Sequence, residues 1–193
     1  MSPTGKANCR LIDLVGSAKS ERLLEVFLYA RQRYGVDVFI IDSLMKLDIA
    51  DDDYSAQKVF MDQLCDFKNQ HNCQIHIVAH PRKGFDESKP PSKLDIKGSG
   101  IISDLADNSF IIWRNKEKER LTQAKESGAI LEEKEEKIVN AAGCKWICDK
   151  QRNGDWEGVL GFWFHSGSLQ YLDTPDQKPM RFVEYLKQSV STT

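Results

Sequence analysis

The sequence predicts an α/β protein: one open sheet, parallel at its centre, extended by antiparallel strands at the C-terminal end, with helices on both faces. Two observations carry this. The apolar runs Val36-Asp-Val-Phe-Ile-Ile-Asp42 and Gln74-Ile-His-Ile-Val-Ala-His80 each follow a segment of helical period, the alternation that builds parallel sheets. Beyond residue 140 the pattern changes to short strand-like runs, with turn signals at Asn153-Gly154 and Ser166-Gly167, as in antiparallel hairpins.

Taken in order, residues 10–15 read as a short strand. Ser17 offers an N-cap, and Leu23, Leu24, Phe27, Leu28 and Tyr34 share one helical face until Gly35 stops the turn. The run ending at Asp42 lacks alternation, which fits a central strand buried on both faces. An acidic loop spans residues 48–53, Ser55 can cap a second helix, and Phe60, Leu64 and Phe67 set its apolar stripe before Asn72 ends it. The strand 74–80 closes on His80 and is followed by Pro81. Residues 81–97 hold prolines, glycine and several basic residues without a period, so they read as a loop. A short helix is expected at 99–106 and a strand at 109–113. Residues 114–140 are heavily charged and predict a solvated hairpin or helix projecting from the body. Three strands follow at 145–150, 158–164 and 170–172, and a last helix near 181–187.

With 193 residues, 40% of them hydrophobic, the chain suits one domain with a substantial core. No apolar run approaches the roughly eighteen residues that span a bilayer, and residues 1–8 lack a signal-peptide stretch. A soluble, intracellular protein without membrane contact is therefore expected. A net charge of -2 gives no global field for nucleic acid, so any such binding must come from local basic loops. The five cysteines (Cys9, Cys65, Cys73, Cys144 and Cys148) form no C-x-x-C pair and read as reduced thiols rather than zinc ligands.

Polar residues at the carboxyl ends of parallel strands line the ligand crevice of such folds. Asp42 and His80 stand at two such ends. A carboxylate there can hold magnesium beside a nucleotide's phosphates. A polar group on the neighbouring strand can contact the terminal phosphate and respond when it leaves. For Asp42 the alternative is a plain cap, and for His80 a plain hydrogen bond. Lys150-Gln-Arg152-Asn-Gly154 sets a planar guanidinium on a tight turn, suited to a phosphate, the alternative being an exposed turn arginine. Lys97-Gly98-Ser99-Gly100 clusters backbone amides at a helix start. With Arg82, Lys83, Lys89 and Lys93 it makes a basic region suited to a nucleic-acid backbone. Nothing matches G-x-x-x-x-G-K-[ST], and Thr4-Gly5-Lys6 has no earlier glycine at the right spacing.

The order of these motifs is more specific than any one of them. Val36…Asp42, Ile75…His80-Pro-Arg-Lys83, Asp95-Ile-Lys-Gly-Ser-Gly100…Ala106-Asp107 and Asp149-Lys-Gln-Arg152-Asn-Gly154 together resemble the DnaB-like ring helicases. The closer likeness is to the phage primase-helicase and mitochondrial Twinkle branches, over residues 11–172. The resemblance implies a single RecA-like motor domain over 1–193, taken from the part after the Walker A loop, with a charged insertion near 114–140.

It further implies that Asp42 is the Walker B aspartate and magnesium ligand, with Ser43 beside it at the nucleotide, and that His80 is the γ-phosphate sensor. Arg152, supported by Lys150, would be an arginine finger reaching a nucleotide on the adjacent subunit. Arg82, Lys83 and Lys97, Gly98, Ser99 and Gly100 would face single-stranded DNA. The implied cofactors are ATP or another NTP with magnesium. The implied assembly is a hexameric ring moving 5′-3′ on one strand, with primase as a further partner. The setting would be the cytoplasm of a bacterial or phage-infected cell, or the mitochondrial matrix of the Twinkle branch. Three features depart from the family: nothing in residues 1–10 supplies its Walker A loop or the catalytic glutamate that follows it, many members carry glutamine where this chain has Asp104, and the insertion after Trp113 is long. Without a P-loop the chain itself is expected to be inactive. The rival readings are a P-loop-less RecA-like DNA-binding or helicase-docking module, and a RecA relative of another class.

Overall fold

A computed structural model describes residues 9–12, 19–50, 52–82, 86, 88–96 and 100–181. Its elements, in order, are α1 (Ser20–Tyr34), β1 (Val38–Asp42), α2 (Tyr54–His71), β2 (Gln74–Val78), α3 (Gly100–Leu105), β3 (Asn108–Arg114), α4 (Lys116–Glu126), α5 (Glu133–Asn140), β4 (Cys144–Gln151), β5 (Gly158–His165) and β6 (Gln170–Leu172). The chain is α/β, and among the described residues its strands fall into two sheets where one was expected: β1 and β2 pair in parallel, and β3-β4-β5-β6 form an antiparallel sheet. The chain divides into two compact units, Met1–Phe85 with Leu94–Ala106, and Asp86–Lys93 with Asp107–Thr193.

In the first unit, Leu23 and Phe27 of α1 and Phe60, Met61, Leu64 and Phe67 of α2 bury against Phe39 and Ile41 of β1. Phe27 stacks on Phe39 with ring centroids 4.3 Å apart. Burying side chains of this size contributes about 1.5–3 kcal/mol each. Gly35 closes α1 in the left-handed conformation, φ 65°, and Asn72 does the same for α2 at φ 46°, both as expected. The cap of α2 is Asp53, not Ser55: its carboxylate accepts from the Ala56 amide at 2.9 Å.

Three other expectations change. Residues 9–12 form no strand, while the rest of the expected 10–15 strand, the Ser17 cap and residues 182–187 lie outside the described residues. The β1 run is not buried on both faces. Phe39 and Ile41 point into the core, whereas Val38 and Ile40 are exposed, because α1 and α2 cover one face only among the described residues. β2 ends at Val78, so His80 stands two residues beyond the strand.

In the second unit β3 to β6 follow one another as neighbours. Trp113, Cys144, Cys148 and Leu172 are buried along the sheet. Phe110, Trp146 and Trp156 form a stacked row, with centroids 4.9 and 6.0 Å apart. The charged segment resolves into the helix pair α4 and α5, a long excursion between β3 and β4. Leu121 of α4 is 2% exposed, so this segment carries an apolar anchor its composition hides. Asn115 caps α4 by accepting from the Lys118 amide, and Glu132 and Glu135 form a capping box on α5. All five cysteines are free. Burial pushes the Cys144 thiol, and that of Cys73, up from the ordinary value.

Candidate functional site

Parallel pairing places Asp42 in register with Val78. Asp42 and the residues following β2 therefore leave the small sheet at the same end. The side of β1 that turns inward ends at Ile41, which leaves Asp42 exposed while Ser43 is buried, only 7% exposed. The Asp42-Ser43 peptide bond is cis, and the Ser43 carbonyl accepts from the Lys46 amide at 2.9 Å as the chain turns away. His80 is exposed and borders a small pocket with Leu44, Phe60, Met61, Ile102 and Gln57. Gln57 is a buried polar residue on α2 whose amide donates to the Ala50 carbonyl at 3.1 Å. It ties α2 to the loop after β1, on the wall of the pocket that His80 borders.

Past His80, Pro81 bridges to Ile96, and Arg82 meets Asp95 twice: amide to carbonyl at 2.8 Å and guanidinium to carboxylate at 3.0 Å. The charge expected to face a nucleic acid is thus partly compensated, although the Arg82 side chain stays 63% exposed. Lys83, Lys97, Gly98 and Ser99 lie outside the described residues. Gly100 opens α3, where a Cβ would meet nothing within 4 Å. Its carbonyl accepts from the Ser103 hydroxyl at 2.8 Å. Asp104 is exposed on α3.

In the second unit Lys150 lies in β4 and Arg152 is the first residue past its end. Arg152 is held by Asp107 through two bonds. Its amide donates to the Asp107 carbonyl at 2.9 Å and its Nη1 to the carboxylate at 2.6 Å. The side chain remains half exposed. At the turn, the Gln151 amide lies 2.6 Å from where a Cβ on Gly154 would stand, so a larger residue there would have to displace it. Asp149, one residue before Lys150, accepts from the Lys93 amide at 2.6 Å, and the Lys93 ammonium donates to the Asp149 carbonyl at 3.1 Å.

The described residues contain no group of three or more His, Cys, Asp or Glu that could hold a metal, so the cation ligand expected at Asp42 would be a single carboxylate. One carboxylate fits a magnesium ion that takes its other oxygens from water and a bound phosphate, and fits no all-protein metal cage. Sequence reasoning missed Asp107, Asp95 and Asp149 as partners of these basic residues. Asp107 and Arg152 are 45 residues apart and Lys93 and Asp149 are 56 apart, and no local period brings such pairs together.

The chain is similar to a phage helicase/primase. It is 26% identical over 121 residues to the DNA helicase/primase of Enterobacteria phage T3, covering 58% of this chain and 21% of that protein. The match is distant and partial, and it supports a helicase/primase-like relationship. The chain spans about a fifth of the length of that relative. No protein-family model matches the chain. No helix among the described residues is long and apolar enough to cross a membrane.

Proposed function

We propose that this chain is the later part of a RecA-like, DnaB-like motor domain in an ATP-dependent replicative DNA helicase of the phage primase-helicase type. The observation that carries the reading is the exit of Asp42 and the His80 segment from the same end of two paired parallel strands, in a chain similar to a phage helicase/primase. In this reading NTP is the substrate and is hydrolysed between subunits of a hexameric ring. Asp42, with Ser43, faces the phosphates and holds magnesium through water. Magnesium there neutralises charge on the phosphate oxygens. His80 senses the terminal phosphate and passes its loss to the following segment, where Arg82, Lys83 and Lys97–Gly100 face single-stranded DNA. Arg152, with Lys150, reaches the nucleotide of a neighbouring subunit, where a planar guanidinium matches developing phosphoryl charge. Primase is a further partner, and the setting is the cytoplasm of a bacterial or phage-infected cell. In this reading the isolated chain, whose sequence holds no G-x-x-x-x-G-K-[ST] loop, does not turn over nucleotide by itself.

The test is NTP hydrolysis by the full-length polypeptide, with and without single-stranded DNA, for wild type, Asp42→Asn and Arg152→Ala. DNA-stimulated turnover falls by ~10³-fold or more in each variant, the scale of a lost arginine finger. Mixing the two variants restores part of it, because a mixed interface can pair an intact Asp42 with an intact Arg152. Full activity in either variant, or no rescue on mixing, sinks the shared site. A wild type without turnover that still binds single-stranded DNA makes the chain a binding module instead.

A further inference from the structure

We propose that Arg10, Tyr29, Arg33 and Tyr34 form a stacking platform for single-stranded nucleic acid on the exposed side of α1, a surface separate from the basic segment after His80. All four residues are described and belong to the first unit. Leu23 and Phe27 occupy the buried stripe of α1, whereas Tyr29 is 58% exposed and Tyr34 45%. The two tyrosine rings meet edge to face, with centroids 5.7 Å apart and planes at 85°. The Arg10 guanidinium lies 3.6 Å from the centre of the Tyr34 ring, and that of Arg33 lies 5.9 Å from it. Both fall within the roughly 6 Å over which an aromatic ring holds a cation. Tyr34 raises the Tyr29 hydroxyl from its ordinary value, chiefly by hydrogen bonding, while Arg33 and Arg10 act against it. The four side chains are therefore one cluster.

Its positive charge is not matched by acids. Among the described residues Arg22 pairs with Glu25 and Arg31 with Asp37, while Arg10 and Arg33 pair with no carboxylate. Glu25, one turn before Tyr29, is thus already held. A basic last turn complements the dipole of α1, which accounts for Arg33. It does not account for Arg10, which stands outside the helix and still stacks on Tyr34. Unpaired bases stack on aromatic rings and on guanidinium planes, and arginine also takes phosphate. A base stacked on the Arg10–Tyr34 pair brings its phosphate toward Arg33 on the same exposed cluster. The arrangement is a surface rather than a pocket, which suits a strand held at several points better than a lone nucleotide.

The test uses the 193-residue chain without NTP. Oligo-dT carrying 4-thiothymidine is photocrosslinked, the attachment sites are mapped by mass spectrometry, and affinity is read by fluorescence anisotropy. Crosslinks fall on Tyr29 or Tyr34. Tyr34→Leu weakens oligo-dT binding by about 5–100-fold, while Tyr34→Phe retains it, with circular dichroism checking that both fold. An abasic strand of equal length binds wild type as weakly as oligo-dT binds Tyr34→Leu. Arg33→Gln, which leaves the helix intact, lowers the slope of log affinity against log salt by about 0.7, the loss of one phosphate contact. Crosslinks confined to other segments overturn the platform, as does a folded Tyr34→Leu that binds like wild type, or a wild type that binds no oligo-dT. Free dTMP that displaces the strand at equal nucleotide concentration overturns the strand reading in favour of a mononucleotide site. None of these readouts uses NTP turnover, so failure here is distinguishable from failure of the motor reading.

Discussion

Arg114 grips Glu119 with two guanidinium nitrogens, Nε and Nη2, at the mouth of the charged excursion. The hydrogen bond and charge of Arg114 hold the Glu119 carboxyl below the ordinary value. A carboxylate whose pKa is lower folded than unfolded contributes stability above its unfolded pKa, and that contribution disappears as pH falls through the folded value. The α4 start should therefore loosen as pH falls below the ordinary glutamate range. Glu119→Gln should remove that acid-sensitive component, as read by amide exchange at residues 116–120 between pH 3 and 6. An unchanged acid profile in Glu119→Gln would show that the pair carries no linkage. The same exposed geometry limits what the pair adds near neutrality. Arg82 and Arg152 follow a related pattern, each meeting an aspartate through both its amide and its guanidinium, so any anion approaching either one competes with a carboxylate.

At the scale of elements, caps and anchors decide what holds. Among the described residues Leu121 is one of the two most completely buried large side chains, with Phe60, and it sits in a heavily charged part of the chain. Leu121→Ala should cost about 2–5 kcal/mol, and Asp53→Ala at the α2 cap about 1 kcal/mol, both from urea unfolding monitored by circular dichroism. A loss under about 0.5 kcal/mol at Leu121, the size of an ordinary surface change, would mean that the helix pair is a loose appendage. Much of this level was legible in advance. Apolar spacing located α1 and α2, Gly35 and Asn72 marked their ends, and turn residues placed β4, β5 and β6 to within one residue. Two things were not legible. The Asp53 cap competed with an equally plausible Ser55, and which oxygen reaches an amide depends on backbone angles that composition does not set. The one-sided burial of β1 depends on what covers Ile40, which no residue within the strand records. At the candidate site Asp42 could be read as the end of β1, whereas β2 stops at Val78, two residues short of the His80 where its apolar run ends. Asp95, Asp107 and Asp149, the partners of Arg82, Arg152 and Lys93, could not be read, because each pair is far apart in sequence.

For the molecule as a whole, the sheets keep open edges: among the described residues β1 and β2 pair only with each other, and β3 pairs only with β4. Open edges beside exposed apolar side chains template pairing with another chain, and Ile112 on β3 is 73% exposed beside Phe110 at 47%. The chain should self-associate with rising concentration in sedimentation velocity, and Ile112→Lys should shift it toward monomer. Association that ignores this substitution must run through another surface. The closing geometry of the α4–α5 excursion bears on a different use of the molecule. Its two ends meet, Asn115 donating to the Gly143 carbonyl at 2.9 Å directly beside the Arg114–Cys144 ladder pair. At its far end Ile130 is 99% exposed. A tag or dye grafted at that tip hangs from a loop whose closure is already fixed, and lengthening such a loop costs little entropy. Residue 130 is thus a ready handle for tracking the second unit by single-molecule fluorescence, leaving both sheets untouched.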